Sequence, residues 1–229
     1  TTGEQGSFTF QAHPIQGHSF TDEERQIIQL LSWALFILSG RARLMGNTRK
    51  AAISDPMPGA YNLAGIFAFT QQFIGDNLKD YTAHFINLKN FKYINKAMGN
   101  NVGDLALKMY VKQILQFLDN TELITRLGGD NFFVLTKKKH HKEFIDKFTV
   151  CELTASQGPK PMNIRLQARI GIYPIEENVI VGDALNNCAT AMQAARFIRT
   201  RDVVYFTKEM QIQSSHQREI STEFHNAMR

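Results

Sequence analysis

A short polar turn between two apolar runs contains the residues best placed to do chemistry in this 229-residue chain. The turn is Gly128-Gly129-Asp130-Asn131, and the apolar runs are residues 123–127 before it and 132–135 after it. Two glycines between β-prone runs favour a hairpin, because glycine accepts the positive φ of tight hairpin turns. The hairpin would carry a carboxylate, Asp130, at its tip, with Arg126 two residues before the glycines. A Gly-Gly pair alone is usually a structural turn, so its function depends on what the chain brings beside it.

The composition is that of a globular protein able to bury a sizeable core, with 43% hydrophobic and 21% charged residues. The sequence has no uninterrupted run of about 18 apolar residues, so we expect no membrane span. The most apolar window, residues 32–39, is short and polar at both ends. No signal-peptide pattern is visible, and Cys151 and Cys188 lie far apart without metal-site spacing. These features predict a cytoplasmic protein with reduced thiols.

The net charge of +5 and the pI near 9.2 permit an anionic partner without selecting one. The one dense basic run, residues 137–142, follows an apolar segment and is best explained as a solvated loop that opens a helix. A nucleic-acid surface would bring more basic residues, interleaved with aromatic ones. We therefore expect no nucleic-acid partner, whereas a phosphate-bearing ligand stays open.

The elements that must position the turn begin with a long apolar helix. Thr21 is a candidate N-cap and Glu24 closes a capping box, which predicts a helix from there to about Arg43 or beyond. A core helix and a dimerising coiled coil both explain so apolar a helix. Before it, the alternating residues 7–10 predict an edge strand.

Strands and helices then alternate along the rest of the chain. Residues 55–59 (DPMPG) form the clearest boundary, and the polar, helix-prone tail from Glu209 is typical of a linker. Alternating strands and helices around one hairpin predict an α/β or α+β sheet covered by helices. The predicted helices are about 63–74, 103–118, 140–149 and 183–198, the predicted strands are 81–88, the hairpin, 164–172 and 203–206, and a loop holds Gly158-Pro159.

Several of these segments, in chain order, match the motifs of one protein family. Residues 126–132 (RLGGDNF) resemble the signature R-x-G-G-D-E-F, and residues 85–95 (FINLKNFKYIN) resemble F-I-D-x-D-x-F-K-x-I-N. Four further segments resemble motifs of the same family: residues 55–62 resemble D-x-L-T-G-L-x-N, 99–105 resemble G-H-x-x-G-D-x-L, 170–172 resemble S-I-G-I, and 191–196 resemble A-x-Y-x-A-K. These are the motifs of GGDEF domains, which make cyclic di-GMP from two GTP molecules.

The resemblance implies a fold and a division of the chain. It implies a central, mostly antiparallel sheet of the five-stranded type, flanked by helices in the palm-like arrangement of nucleotidyl cyclases, with the long helix in front. Residues 1–54 resemble the end of a GAF-like sensor domain and a signalling helix, residues 55–208 a GGDEF domain, and residues 209–229 a linker toward an EAL phosphodiesterase domain. Neighbouring domains of a longer signalling protein, and a second copy of the chain, are thus the expected partners.

The metal ligands of the family are only partly present. The resemblance places the Mg²⁺ carboxylates at the first Asp of F-I-D and at the third and fourth residues of GGDEF, which are Asn87, Asp130 and Asn131 here. An amide oxygen is a neutral and weaker ligand, and Mg²⁺ is usually held by carboxylates. We therefore expect Mg²⁺ at Asp130 and Asn87 to be weak or lost, Asp130 to be a vestigial catalytic residue, and no other cofactor to bind.

The nucleotide-binding positions are better retained. The resemblance implies that Asn95 and Asp104 hydrogen-bond guanine and that Lys92 and Arg196 lie near the phosphates. Backbone N–H groups from residue 88 to Phe91 could cradle phosphate oxygens. GTP is accordingly a candidate ligand.

Two other family features are absent from the sequence. The G-R-N that follows the last helix is Arg199-Thr200-Arg201 here, which removes one phosphate-contacting arginine unless a neighbour replaces it. The R-x-x-D of the inhibitory product site is residues 119–122 (DNTE), which lacks the arginine. Feedback binding of cyclic di-GMP at that position is therefore not expected.

Three hypotheses follow from the sequence. The leading one is a catalytically inactive GGDEF domain that regulates an adjoining phosphodiesterase and binds GTP. The second is an active diguanylate cyclase with a variant metal site. The third is a dimerisation or interaction module that needs no nucleotide. The loss of two of three metal carboxylates favours a domain that is not an enzyme over an active cyclase.

Overall fold

The computed structural model describes residues 11–14, 19–155, 162–176, 179–197 and 201–213. The predicted edge strand at 7–10, the loop at Gly158-Pro159 and most of the predicted linker from 209 lie outside these residues. The chain divides into two compact units, Thr1–Ala52 and Ile53–Arg229, and each is described by itself below.

The first unit contains most of helix α1, Asp22–Ile53. The predicted capping box is confirmed, since the Thr21 backbone N–H donates to Glu24 Oε2 over 2.8 Å and the Glu24 N–H donates to Thr21 Oγ1 over 3.3 Å. No side chain of α1 is buried in the described structure, although the helix carries many large apolar residues. Its exposed apolar side chains include Leu30, Leu31, Trp33, Phe36, Leu38, Leu44 and Met45.

By length and composition, α1 is the one helix in the described part of the chain that could cross a membrane. The most apolar 18 residues of α1 include at most two charged residues, whereas the sequence contains no unbroken apolar run of that length. A packed helix of a soluble protein has the same length and composition, so this property alone does not place α1 in a membrane.

The second unit is built on a mixed, mostly antiparallel sheet of six strands. Strand order is β2-β3-β1-β5-β4, with β6 joined in parallel to β5. The predicted antiparallel α+β architecture is confirmed, with six strands in place of the five-stranded type. The strands are β1 Tyr81–Leu88, β2 Leu123–Gly128, β3 Asn131–Lys137, β4 Val150–Ala155, β5 Met162–Pro174 and β6 Val203–Tyr205.

Helices cover both faces of this sheet. Alternate residues of β1 point to opposite faces, so that Ile86 joins the core beneath α4 while Ala83 joins the core beneath α2 and α6. A π-helical turn, Thr70–Ile74, and a 3-10 turn, Gly75–Asp80, connect α2 to β1. The helices are α2 Leu63–Phe69, α3 Phe91–Met98, α4 Asn100–Phe117, α5 His141–Phe148 and α6 Val181–Phe197, and residues 208–213 are also helical.

Helix α6 lies very close to β5. A Cβ atom added at Gly171 would clash with the Cys188 carbonyl oxygen and with the Met192 backbone nitrogen. Glycine at this position therefore lets the helix backbone approach the strand, which is a physical reason for the I-G-I sequence. The approach fixes the course of α6 across the sheet and hence the location of its last turn.

Two elements were not predicted from the sequence. Helix α3 is only eight residues long and is separated from α4 by Gly99, whose φ of 87° breaks the helical run. Strand β4 is six residues long and is stabilised by antiparallel pairing with β5. Short elements that depend on partners elsewhere in the chain leave a weak local signal.

A buried histidine pair lies beneath α5. His84 is fully buried, with its Nε2 3.1 Å from His141 Nδ1 and its Nδ1 3.3 Å from the Val134 carbonyl oxygen. Burial, and secondly the neighbouring His141, lowers the pKa of His84 to about 3. The imidazole is therefore neutral in the folded protein at neutral pH.

We predict that His84 makes the protein less stable in mild acid. An unfolded histidine has a pKa of about 6.5, so between that pH and about 3 the unfolded state takes up a proton that the folded state does not. The free energy of unfolding should fall with pH in this window, by up to about 1.4 kcal/mol per pH unit. Urea unfolding at pH 7.5, 6 and 5 gives the free energy of unfolding at each pH. The slope of this free energy against pH should be smaller for His84→Gln than for wild type. The same change at exposed His13 should leave the slope unchanged, and equal slopes for all three proteins would contradict the prediction.

Candidate functional site

The predicted signature hairpin is formed by β2 and β3. Gly128 and Gly129 have φ values of 122° and 55°, as a turn with left-handed backbone requires. The Arg126 side chain bonds to the turn, donating from Nε and Nη2 to the Gly129 carbonyl oxygen over 3.1 and 3.0 Å. Its Nη1 also lies 3.6 Å from Asp55 Oδ1. Arg126 is thus a structural part of the hairpin and links it to the start of the domain.

The two asparagines that replace family carboxylates are hydrogen-bonded to each other. Asn87 Nδ2 donates to Asn131 Oδ1 over 3.0 Å, and Asn131 Nδ2 donates to the Gly128 carbonyl oxygen over 3.2 Å. Asn87 is 7% exposed, so this bond satisfies a buried amide. Two carboxylates at the same separation would repel each other unless a cation lay between them. The amide pair is neutral and needs no cation.

Asp130, the remaining carboxylate, lies beside the asparagine pair in the chain. Its carbonyl oxygen accepts a hydrogen bond from the Leu88 N–H over 3.1 Å, which joins the turn to the end of β1. The structure thus brings Asn87 and Asn131 into direct contact, with Asp130 held at the turn next to them.

An arginine that the sequence analysis did not select lies in the same row of the sheet. Asn87 pairs with Asn131 on β3 and with Arg169 on β5. Directly opposed residues on antiparallel strands project from the same face with Cβ atoms about 5 Å apart. A half-buried cation therefore neighbours the asparagine pair. The sequence could have drawn attention to Arg169 through its position one residue before I-G-I, where the family pattern has serine.

The loop after β1 presents backbone N–H groups and lysines. Asn90 has left-handed backbone (φ 56°), and its side chain does not cap α3. Lys89 is held by Asp202 through bonds of 2.8 and 3.0 Å, whereas Lys92 is exposed. Phe91 is buried in the core, so its side chain anchors the loop and only its backbone could meet a phosphate.

The predicted guanine-binding residues come from two adjoining helices. Asn95 on α3 lies against Gly103 on α4, where an added Cβ would clash with Asn95 Oδ1. Asp104, the next residue, is exposed. Within the described residues, Asn95 Oδ1 is buried and accepts no hydrogen bond. An unsatisfied buried acceptor is costly unless a donor reaches it, and the N–H groups of guanine are such donors.

The remaining predicted phosphate contacts lie after β5. Arg196 is exposed in the last turn of α6, the turn after the close approach of Met192 to Gly171. Arg199 and Thr200 lie outside the described residues. Arg201 is exposed, and Asp202 beside it is the partner of Lys89.

The position of the family's inhibitory product site holds a self-contained cluster of charges. Asp119 Oδ2 accepts from Lys137 Nζ over 2.7 Å, and Glu122 Oε1 lies 2.7 Å from His140 Nδ1. Partial burial raises the pKa of Asp119, but bonds from Lys137 and Thr121 outweigh it and lower this pKa to about 2. Asp119, Glu122 and His140 are the one group in the described ranges whose ligand atoms could share a metal ion. These carboxylates already have protein partners, and an aspartate stands where the family has arginine.

The comparisons with known proteins agree with this geometry. Residues 52–200 match the family model described as diguanylate cyclase, GGDEF domain. The chain is 30% identical over 146 residues to diguanylate cyclase DgcP of Escherichia coli, covering 57% of this chain and 42% of DgcP. It is 21% identical over 155 residues to cyclic di-GMP phosphodiesterase NbdA of Pseudomonas aeruginosa, covering 66% of this chain and 20% of NbdA. The chain therefore spans less than half the length of these relatives.

A solved structure shares the fold. The coiled coil and GGDEF domain of DgcB from Caulobacter crescentus, in complex with c-di-GMP, superimposes with a TM-score of 0.63 at 13% identity, covering 78% of this chain and 98% of the solved chain. With the family model matching more than half of the sequence, the chain belongs to the GGDEF family. Family membership places the domain in cyclic di-GMP signalling.

We predict that the asparagine pair contributes to stability. Asn131→Ala removes the acceptor of Asn87 Nδ2 and leaves a buried amide unsatisfied, which should cost about 1–2 kcal/mol in the free energy of unfolding. Asn186→Ala removes an exposed amide on α6 and should change this free energy by less than about 0.5 kcal/mol. Chemical denaturation of the three proteins measures the difference, and equal stabilities would contradict a structural role for the pair.

Proposed function

We propose that this domain is a catalytically inactive GGDEF domain that binds GTP and regulates a phosphodiesterase domain of the same signalling protein. The observation that carries the proposal is the hydrogen bond between Asn87 and Asn131, at the position where the family holds its metal.

The loss of catalysis follows from the chemistry of the reaction. Joining two GTP molecules requires a 3′-hydroxyl to attack an α-phosphate, a step that depends on positioning and on metal-assisted neutralisation of charge. Mg²⁺ needs oxygen ligands that are free to turn toward it, and carboxylates serve it best. Here one amide oxygen is occupied by the other amide, and Asp130 is the one family carboxylate that remains.

The proposal of nucleotide binding rests on the guanine-binding end. Asn95 Oδ1 lacks a donor, and Asp104 is exposed on the adjoining helix. Guanine presents N–H donors along one edge, and a carboxylate can accept two of them. The uncapped start of α3, with Lys92 in its first turn, offers N–H groups and a positive charge to phosphates.

The proposed regulatory role is supported by the kind of protein in which related sequences occur. NbdA is named as a phosphodiesterase, yet a stretch of it is related to this GGDEF domain. A domain that binds GTP without consuming it can change an adjoining enzyme only through a difference in affinity between two states of the protein. GTP concentration would then be the signal.

We predict that the purified chain makes no cyclic di-GMP from GTP with either Mg²⁺ or Mn²⁺, because no carboxylate set holds the metal. Chromatography of the reaction mixture measures this. Product that disappears in Asp130→Ala would instead establish an active cyclase with a variant metal site.

We predict in addition that GTP binds and that Asp104→Ala weakens binding about tenfold or more, because two hydrogen bonds to guanine are lost. Isothermal titration measures the affinity. Asp146→Ala removes an exposed carboxylate from α5 and should have no effect. Absence of binding at millimolar GTP would leave the domain a structural role only.

A second candidate function, pairing of two copies through α1, is favoured by the exposure of its apolar residues. Trp33 and Leu30 are each 69% exposed and Leu38 is 59% exposed, although water is a poor solvent for such side chains. A second copy of the same helix would cover them.

We predict that light scattering finds a dimer for the whole chain and a monomer after deletion of residues 1–50. Leu30→Glu, which places a charge in the apolar surface, should also give the monomer, whereas exposed Arg43→Glu should leave the dimer intact. A monomeric whole chain, or one that remains soluble only in detergent, would contradict pairing in solution.

A further inference from the structure

The face of the sheet at which the family binds its metal holds a fixed cation in this protein. We infer that the site binds the phosphates of a nucleoside triphosphate without any divalent metal, with Arg169 supplying the positive charge. The inference rests on the proposed binding of GTP and specifies how its phosphates are held.

The placement of Arg169 follows from the register of three neighbouring strands. Asn131 on β3, Asn87 on β1 and Arg169 on β5 are directly opposed in turn, so their side chains form one row on one face. The row lies at the end of the sheet where the signature turn and the loop before α3 meet, as the bond from the Leu88 N–H to the Asp130 carbonyl oxygen shows. A guanidinium on this row is within a side chain's length of the former metal position.

Arg169 retains its charge for a ligand. No ion pair between the described residues involves it, and it is half-buried. A neighbouring cation, Lys89, already forms an ion pair with Asp202. Lys92 remains exposed in the first turn of α3. Arg169 and Lys92 are therefore two cations without an ion-pair partner among the described residues that an anion at this end of the sheet would meet.

Four changes from the family pattern, in the motifs F-I-D-x-D, GGDEF and S-I-G-I, alter charge in one direction. Asn87 and Asn131 stand where the patterns F-I-D and GGDEF have acids, Lys89 stands at the second Asp of D-x-D, and Arg169 stands at the Ser of S-I-G-I. A carboxylate-rich site attracts Mg²⁺ and needs it to accept phosphate. With two neutral amides, a guanidinium and Asp130 as the one family carboxylate left, the site attracts Mg²⁺ less strongly and phosphate more strongly.

Arginine is also suited to the task by its geometry. The guanidinium group donates two parallel N–H bonds to the oxygens of one phosphate, and it stays protonated at every relevant pH. The amide pair beside it adds no negative charge that would compete for those donors. Metal-free GTP carries more negative charge than its Mg²⁺ complex, so this site should prefer the free nucleotide.

The test is isothermal titration of the whole chain with GTP, once in EDTA and once in excess Mg²⁺. We expect the affinity in EDTA to equal or exceed that in Mg²⁺. Arg169→Ser, which restores the family residue, should weaken binding in EDTA tenfold or more, and Arg169→Lys should recover part of that loss. Lys142→Ser removes an exposed cation from the start of α5, after the far end of β3, and should have no effect.

Circular dichroism and denaturation of each variant establish that it is folded before its affinity is compared. Guanosine, which lacks phosphates, should bind wild type and Arg169→Ser equally, so that a loss seen with both ligands would indicate a structural effect and overturn the role of Arg169. GTP binding that requires Mg²⁺ would overturn this inference and leave the proposed GTP binding intact. No binding in either buffer would overturn both.

Discussion

The pairing of β1 between β3 and β5 is the constraint on which the rest of the domain depends. This strand is hydrogen-bonded along both edges and is almost wholly buried, so its register cannot shift without moving its side chains to the wrong face. That register places Asn131, Asn87 and Arg169 in one row. The same strand positions the loop before α3. The N–H of its last residue, Leu88, donates to Asp130 of the signature turn, and the N–H of the next residue, Lys89, donates to Gln167 on β5.

Several charged groups are paired within the protein at both places where the family places charged groups. At the signature turn, two amides satisfy each other, and Lys89 is paired with Asp202. At the position of the product site, Asp119 is paired with Lys137 and Glu122 with His140. The family scaffold is therefore complete while its charge pattern is different.

The long helix and the GGDEF domain differ in how their apolar side chains are covered. In the second unit the apolar side chains are buried against the sheet, whereas no side chain of α1 is buried. The capping box of α1 comes from local sequence, whereas the described residues do not bury its apolar side chains.

Local sequence was sufficient for much of this structure. The bounds of β1, the hairpin, the start of α1 and family membership could all be predicted, because alternation, turn glycines, capping residues and spaced motifs are properties of neighbouring residues. The short α3 and β4 could not, since each depends on contacts beyond its own segment. The identity of Asn87 and Asn131 was likewise plain from the sequence, as was the loss of two carboxylates.

Only the tertiary structure decided which of Asn87, Asn131 and Arg169 contact or neighbour one another. Asn87 and Asn131 are 44 residues apart in the chain, and their hydrogen bond exists because β1 pairs with β3 in one register. Arg169 is farther still along the chain and meets the pair through β5. The sequence by itself determined that two positions of the family's carboxylates hold neutral amides. The sheet determined that Arg169 lies beside those positions, because strand register is fixed by long-range packing and cannot be read from composition.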